Sequence, residues 1–402
     1  MRRVVVIGAG AAGSMAAIFA ASRGAATRLL ERTRDGGRKI LISGGGRCNV
    51  LPARLSESRF VTESPPHLLR KLLRAWPLPE QIAFFEQELG LPLVEETESA
   101  KLFPASQRAR DVRDGLLLHA AHRGAELVMD ARVTGVWPRE GRWIVEREGS
   151  PALEADAIVL ATGGLSVPQT GSDGFGLELL ARLGHSIHPT YPALTPLLAP
   201  PGPLADLAGI SLPVTLSARS ERLSAQATGG FLFTHQGYSG PAVLDVSHVA
   251  VRAGSGGARL SVRWTALGEA EWTTALQPQG SRSVGSVLRE RLPHRLADVL
   301  LAGTGVEPAR PLAQLPREAR LRLVQTLVRG ELPWNGHAGY AKAEVMGGGA
   351  SLAEIDPLTM ESRKHPGLFL SGELLDAFGP IGGYNFYWAW ATGRAAGIGA
   401  AG

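Results

Sequence analysis

Three glycines near the start of the chain, Gly8, Gly10 and Gly13, stand in a Gly-x-Gly-x-x-Gly spacing. They lie between a β-branched run, Arg3–Ile7, and a stretch of small residues that reads as a helix to about Arg23. That pattern can hold a pyrophosphate. Gly8 permits a tight turn, Gly10 lets a phosphate approach the backbone, and Gly13 lets the helix lie close to the strand. Ala11 and Ala12 open the helix, whose first N–H groups are unpaired and whose dipole is positive at that end. Glu31, 18 residues after Gly13, ends a second strand with Arg32 beside it. A carboxylate there accepts hydrogen bonds from ribose hydroxyls and repels a 2′-phosphate, which favours FAD or NAD over NADP.

Three later features favour FAD. Gly36–Asn49 is a glycine-rich loop directly after the second strand. Its glycines, Gly44 and Gly45 among them, permit close backbone approach to a bulky ligand, Arg38 and Lys39 can neutralise pyrophosphate, and Ser43 and Arg47 are further candidate contacts. Ala157–Ala161 is a buried apolar strand ending in Thr162-Gly163, which lets a strand end pass over the cofactor. Near the C-terminus, Gly372-Glu373-Leu-Leu-Asp376 and Gly383-Tyr384-Asn385 precede a last helix. Asp376 suits a ribityl hydroxyl, and backbone amides at Gly383–Asn385 can stabilise negative charge on a reduced flavin.

The elements around these motifs alternate strand and helix up to about residue 188, the expected signature of a Rossmann-type α/β domain. From Pro189 to about Trp272 the texture changes to prolines, turns and short alternating runs, as in a β-rich insertion. Residues 281–329 read as helical and basic. Strand-and-glycine language then returns, and Phe386–Ile398 reads as the final helix. The expected division is a cofactor domain from both chain ends, 1–188 and 342–402, a β-barrel-like insert, 189–280 with 330–341, and a small helical insert, 281–329.

Composition limits the chemistry. A single cysteine, Cys48, excludes an internal disulfide, a multi-cysteine metal or iron–sulfur site and a flavin–dithiol relay, and suits a cytoplasmic compartment. No metal is expected: His119 and His122 stand three apart with no third ligand. Arg2 and Arg3 ahead of the apolar Val4–Ala21 imitate a secretory leader, but the glycine spacing assigns that stretch to the nucleotide fold. No other segment approaches a membrane span.

Taken together, these segments resemble the bacterial FAD-binding, NAD(P)/FAD-dependent oxidoreductases of the aminoacetone-oxidase-like and bile-acid flavin-reductase-like type. The resemblance rests on GAGAAG (8–13), GGRKILISGGGRCNV (36–50), ATGGLSVPQTGSDGFG (161–176), FLFTHQGYSGPAVLDVS (231–247) and PGLFLSGELLDAFGPIGGYNFYWAWATG (366–393). It implies FAD contacts at Gly8–Gly13, Glu31, Lys39, Ser43–Asn49 including Cys48, a backbone group near Val133, Thr162–Gly163, Gly372–Asp376 and Gly383–Asn385. The expected reaction is a flavin reduced by NAD(P)H and reoxidised by a small organic acceptor or oxygen; with one dinucleotide fingerprint in the chain, the nicotinamide is expected to bind transiently.

His235, Tyr238 and Tyr384 are candidate proton donors, with turn hydrogen bonds and helix packing as their other readings. Residues 281–330 carry nine arginines against four carboxylates, an excess of five that equals the net charge of the chain. Such a segment could hold RNA for an RNA-modifying flavoprotein. It contains no Phe, Tyr or Trp to stack on bases, which weighs against that reading and for a small-molecule substrate. A non-catalytic flavin-binding protein is the third alternative.

Overall fold

Arg3–Ile7 lies at the centre of a five-stranded parallel sheet, and a computed structural model describes it together with the rest of residues 1–402. The strand order is Leu368–Leu370, Ala157–Leu160, Arg3–Ile7, Ala26–Leu30, Glu126–Val128. Val4 pairs with Ala157 on one side and Thr27 on the other. Strands buried on both faces cannot alternate apolar with polar, which is why Val4–Ile7, Ala157–Leu160 and Leu368–Leu370 are continuous apolar runs. The outer strand joins through Arg28 opposite Glu126, whose side chains form a 2.6 Å ion pair.

Two helices buried nearly all round pack together beside this sheet: Ala11–Ser22 and the last helix, Tyr384–Ala401. Their approach is closer than side chains permit. A Cβ at Gly393 would lie 2.3 Å from the Ala12 carbonyl oxygen, and one at Gly397 would lie 2.3 Å from that of Ala16. Trp388 and Trp390 donate indole N–H groups to the carbonyls of Gly372 and Val50, each at 3.0 Å, and so fix the helix along its length. A third helix, Ala109–His122, an antiparallel meander within Val133–Ala155 and a three-stranded antiparallel sheet within Leu51–Pro104 also belong to this unit, which comprises Met1–Tyr191 and Glu344–Gly402.

The second unit, Pro192–Ala343, is built on a seven-stranded sheet whose assigned pairs are antiparallel. Its long strands, Ser211–Ser220 and Ser224–Thr234, match the alternating runs of the sequence; Leu212, Val214, Leu216 and Ala218 point into the core. Two features differ from expectation. Pro241–Ala253 is a helix inside the stretch that reads as β-rich, and its Val243, Val246 and Val249 join the sheet's core. The helices of 281–329 form no insert of their own, because Leu296, Leu300, Leu323 and Leu327 belong to that same core.

The glycine-mediated helix contact generates a stability prediction. Gly397→Val forces a side chain into the Ala16 carbonyl, and the unfolding free energy should fall by about 3 kcal/mol, the upper range of overpacking. Denaturant melts of purified variants measure this, and an unchanged midpoint would show that the two helices can separate without cost.

Candidate functional site

At the C-terminal end of the central strand the chain turns through Gly8 and enters the first helix. A Cβ at Gly8 would lie 2.5 Å from the Ala161 carbonyl oxygen, and one at Gly13 would lie 1.7 Å from the Gly8 oxygen. Both glycines are therefore required by the protein's own packing. Gly10 is different. Its backbone is extended (φ −80°, ψ −166°), and a Cβ there would meet no protein atom within 4 Å. Nothing inside the protein demands glycine at 10, and the open space beside it leaves room for a ligand against the backbone. The space fits a pyrophosphate beside the unpaired N–H groups of Ala11 and Ala12.

The expected segments converge on this turn. Glu31 is buried; its carboxylate accepts from Ala9 N at 2.9 Å and from Thr33 N and Oγ1 at 2.8 and 2.7 Å. Its carbonyl accepts from Ala131 N at 2.8 Å, which brings the Val133 strand alongside. Thr162 follows Ala161 over the turn, and a Cβ at Gly176 would lie 2.1 Å from its Oγ1. Gly163 is left-handed (φ 72°). From the other end of the chain, a Cβ at Gly372 would lie 2.9 Å from Ala12 Cβ. The Gly36–Asn49 loop contains a short helix, Arg38–Ile42, and then left-handed glycines at 44, 45 and 46. At its end Asn49 donates to Leu51 O at 3.2 Å and accepts from Gly383 N at 2.9 Å, in the amide orientation that satisfies both groups. That bond places the loop at the N-terminus of the last helix.

The charged candidates stand otherwise than the sequence led us to expect. Lys39 reaches Glu373 at 2.5 Å and Ser166 Oγ at 2.7 Å, and Glu373 also accepts from Ser166 and, at 2.9 Å, from Met346 N. Arg38 pairs with Asp35 at 2.9 Å, Arg32 with Asp173, and Arg47 with Glu96 at 3.0 Å while lying over the Phe103 ring. Each cation is paired with a protein carboxylate. Asp376 also bonds within the protein, through one of its two oxygens. Its Oδ2 accepts from Thr62 Oγ1 and Glu63 N at 3.0 and 2.9 Å, and from Ser64 N and Oγ at 2.8 Å each, and so fastens the 62–64 loop.

Two of the candidate proton donors make the structural hydrogen bonds and packing contacts that were their other reading. Tyr238 is buried in the second unit's core and donates to Pro333 O at 2.9 Å, and burial raises its pKa above the usual phenol value. Tyr384 Oη donates to Arg54 O at 3.2 Å and accepts from Ser56 N at 3.3 Å, while its ring packs on Phe60. Asn385 gives both amide atoms to the backbone of Gly379, at 2.9 Å each. His235 is exposed in the turn between Ser224–Thr234 and Gly237–Ser239. Cys48 is fully buried; burial pushes its thiol up to about 12, against the lowering effect of the Ser43 hydroxyl.

Two residues that organise the site escaped the sequence reading. Arg113 is buried and bonds the carbonyls of Asp35 and Gly36, the latter at 3.2 Å, bracing the start of the glycine-rich loop. Its signal was an arginine within the apolar stripe Ala109, Val112, Leu116, Ala120. Ser166, fully buried between Lys39 and Glu373, carried no sequence signal.

A parallel sheet, a glycine turn opening a helix at its C-terminal edge and a carboxylate at the end of the next strand define a Rossmann-type dinucleotide-binding protein. The chain belongs to the family described as HI0933-like protein Rossmann domain, a family of FAD-binding oxidoreductases, whose model matches residues 2–399. It is 31% identical over 411 residues to 3-dehydro-bile acid delta(4,6)-reductase of Clostridium scindens, covering 100% of this chain and 99% of that protein. It is also 31% identical over 402 residues to ribosomal RNA dihydrouridine synthase of Escherichia coli, covering 96% and 95%. Among solved structures it is similar to 3-ketosteroid-delta4-(5alpha)-dehydrogenase of Rhodococcus jostii RHA1, with 17% identity, TM-score 0.49 and coverage of 100% and 97%.

Two measurements probe the site. Gly10→Ala should change the unfolding free energy of FAD-free protein by no more than about 1 kcal/mol, yet weaken FAD binding by about tenfold or more, roughly 1.4 kcal/mol. Gly13→Ala should destabilise the FAD-free protein itself. Parental flavin affinity in Gly10→Ala would remove the ligand explanation for that glycine. For Cys48, the thiolate is the reactive form and appears only as pH rises toward about 12, so native protein should resist thiol reagents at about pH 8 and react on unfolding. Rapid native labelling would contradict the buried, protonated thiol.

Proposed function

We propose that this protein is an FAD-dependent reductase that saturates a carbon–carbon double bond conjugated to a carbonyl, with NAD(P)H as the source of hydride. The carrying observation is the full-length likeness to two relatives whose names denote that same change on different molecules. A delta(4,6)-reductase of a 3-dehydro-bile acid and a synthase of dihydrouridine both add two hydrogens across such a bond. Bound FAD would supply the two-electron chemistry, accepting hydride from a nicotinamide and delivering it to the electron-poor carbon.

The protein's part is holding and charge stabilisation. Gly8, Gly10 and Gly13 leave room for the pyrophosphate, Ala11 and Ala12 offer N–H groups to it, and Glu31 offers lone pairs to ribose hydroxyls. Backbone groups near Val133, Thr162, Gly163, Ser43–Gly45 and Gly372 would line the cofactor. The N-terminus of the last helix at Gly383 is positive and favours the negative charge that a reduced flavin carries. No second dinucleotide turn is evident in the sequence, so the nicotinamide would bind only transiently.

A second, finer reading takes the substrate as a uridine in ribosomal RNA. It is favoured by the likeness to the Escherichia coli dihydrouridine synthase and to its Haemophilus influenzae counterpart, 30% identical over 397 residues. The missing aromatics of 281–330 weighed against RNA only on the premise that this segment would be the contact surface.

Purified holoprotein should be yellow and should bleach anaerobically with NADH or NADPH. The reduced protein should then reoxidise with a steroidal enone or with unmodified ribosomal RNA, and mass spectrometry should find two hydrogens added to the product. Absence of bleaching with either nicotinamide would remove the reductant; bleaching without hydrogen added to either substrate would remove the proposed reaction.

A further inference from the structure

The helix Pro66–Arg74 buries Leu69, Leu72 and Leu73 and exposes His67, Arg70, Lys71 and Arg74. These four recur at intervals of three and four, so they form one stripe along the helix. With Ala75 and Leu358 they are the entire lining of an open groove of about 570 Å³. No carboxylate lines it, whereas an ordinary solvated face intersperses both signs. Arg74 is held in place by Glu57, at 2.7 and 2.8 Å, and Leu358 is 61% exposed at the rim. From residue 67 to 74 the stripe spans about 10 Å, the axial rise of about three nucleotides of one strand.

The groove is also tied to the cofactor-facing part of the fold. Asp376 fastens the loop 62–64 immediately before the helix, and Tyr387 Oη donates to Leu73 O at 2.5 Å near its end. Asp376 and Tyr387 belong to the segment that carries Gly372 and Gly383. A polyanion seated on the helix is thereby registered against that segment at both ends of the helix.

We infer that this groove docks the phosphodiester backbone of the RNA substrate, with Arg70 and Lys71 as its free cations and Leu358 as an apolar contact for a sugar or base. The inference rests on the ribosomal RNA reading above. Phosphate contacts of this kind position a substrate without reading its sequence.

The test is filter binding of unmodified ribosomal RNA transcripts to full-length holoprotein across a salt series. Arg70→Glu/Lys71→Glu should weaken binding by about tenfold or more and flatten the slope of log affinity against log salt by roughly 1.4 to 1.8, the loss of two phosphate contacts. Arg70→Lys/Lys71→Arg, which keeps both charges, should retain the parental slope, and flavin absorbance reports folding of each variant. Arg291→Glu/Arg322→Glu, in the arginine-rich segment, should leave affinity within about twofold of the parent after allowance for the long-range field. Parental affinity and slope in Arg70→Glu/Lys71→Glu, with RNA bound normally by the unaltered protein, would overturn the groove alone. Loss of binding confined to the Arg291→Glu/Arg322→Glu pair would overturn it in the same way. Failure of the unaltered holoprotein to bind the transcripts would overturn the RNA reading and the groove with it, while the reductase chemistry would still stand or fall on its own spectrum.

Discussion

The structure of the cofactor unit depends on backbone touching backbone. Gly13 lies against the Gly8 carbonyl, and Gly393 and Gly397 lie against the carbonyls of Ala12 and Ala16. Only residues without a Cβ allow such approach, and the first helix is thereby clamped between the sheet and the last helix. The dinucleotide turn inherits its rigidity from that clamp. Residues separated by nearly the whole chain must meet before the turn is complete, so the C-terminal segment is part of the site and not an appendage to it.

The clamp also explains where charge is and is not used. A helix held this firmly presents its unpaired N–H groups and its dipole at a fixed point, and these are sufficient for a pyrophosphate without a cationic side chain. Arg32, Arg38, Lys39 and Arg47 each pair with a carboxylate of the protein. Lys39, with Ser166 and Glu373, ties the glycine-rich loop to the strand end and to the C-terminal motif. Exposed pairs such as Arg38–Asp35 contribute little to stability. The partly buried Lys39–Glu373 pair sets position, since it joins segments hundreds of residues apart.

How much of this was legible in the sequence follows from the range of each signal. The glycine spacing and the buried strands are local patterns with one structural meaning, and the strand, turn and helix they predict are present. The partners of polar side chains such as Asp376, Tyr238 and Tyr384 were not legible because they are distant in the chain: Ser64, Pro333 and Arg54 cannot be matched to them by spacing. The helix Pro241–Ala253 was hidden by its valines, whose β-branching argues for strand. Its i, i+3 repeat of Val243, Val246 and Val249 and a proline at the first turn were the contrary evidence. The basic helix segment 281–329 looked separate because charge on its outer face obscured the leucines that join the sheet's core.

The two full-length relatives act on molecules of very different size, a bile acid and a ribosomal RNA. A scaffold can serve both only if the reacting bond is presented in the same way and the rest of each molecule is handled elsewhere. Hydride chemistry makes few demands on the protein beyond that presentation, because the cofactor performs it. Selection between substrates then falls to surfaces that leave the clamp and the dinucleotide turn untouched. The helix Pro66–Arg74 is such a surface: its leucines are committed to the core, its outer residues make no contribution to the turn, and its attachment through Asp376 and Tyr387 survives any change in the stripe. Charge on that face is therefore free to change without disturbing the turn, whereas a side chain at Gly8, Gly13, Gly393 or Gly397 would run into a backbone carbonyl.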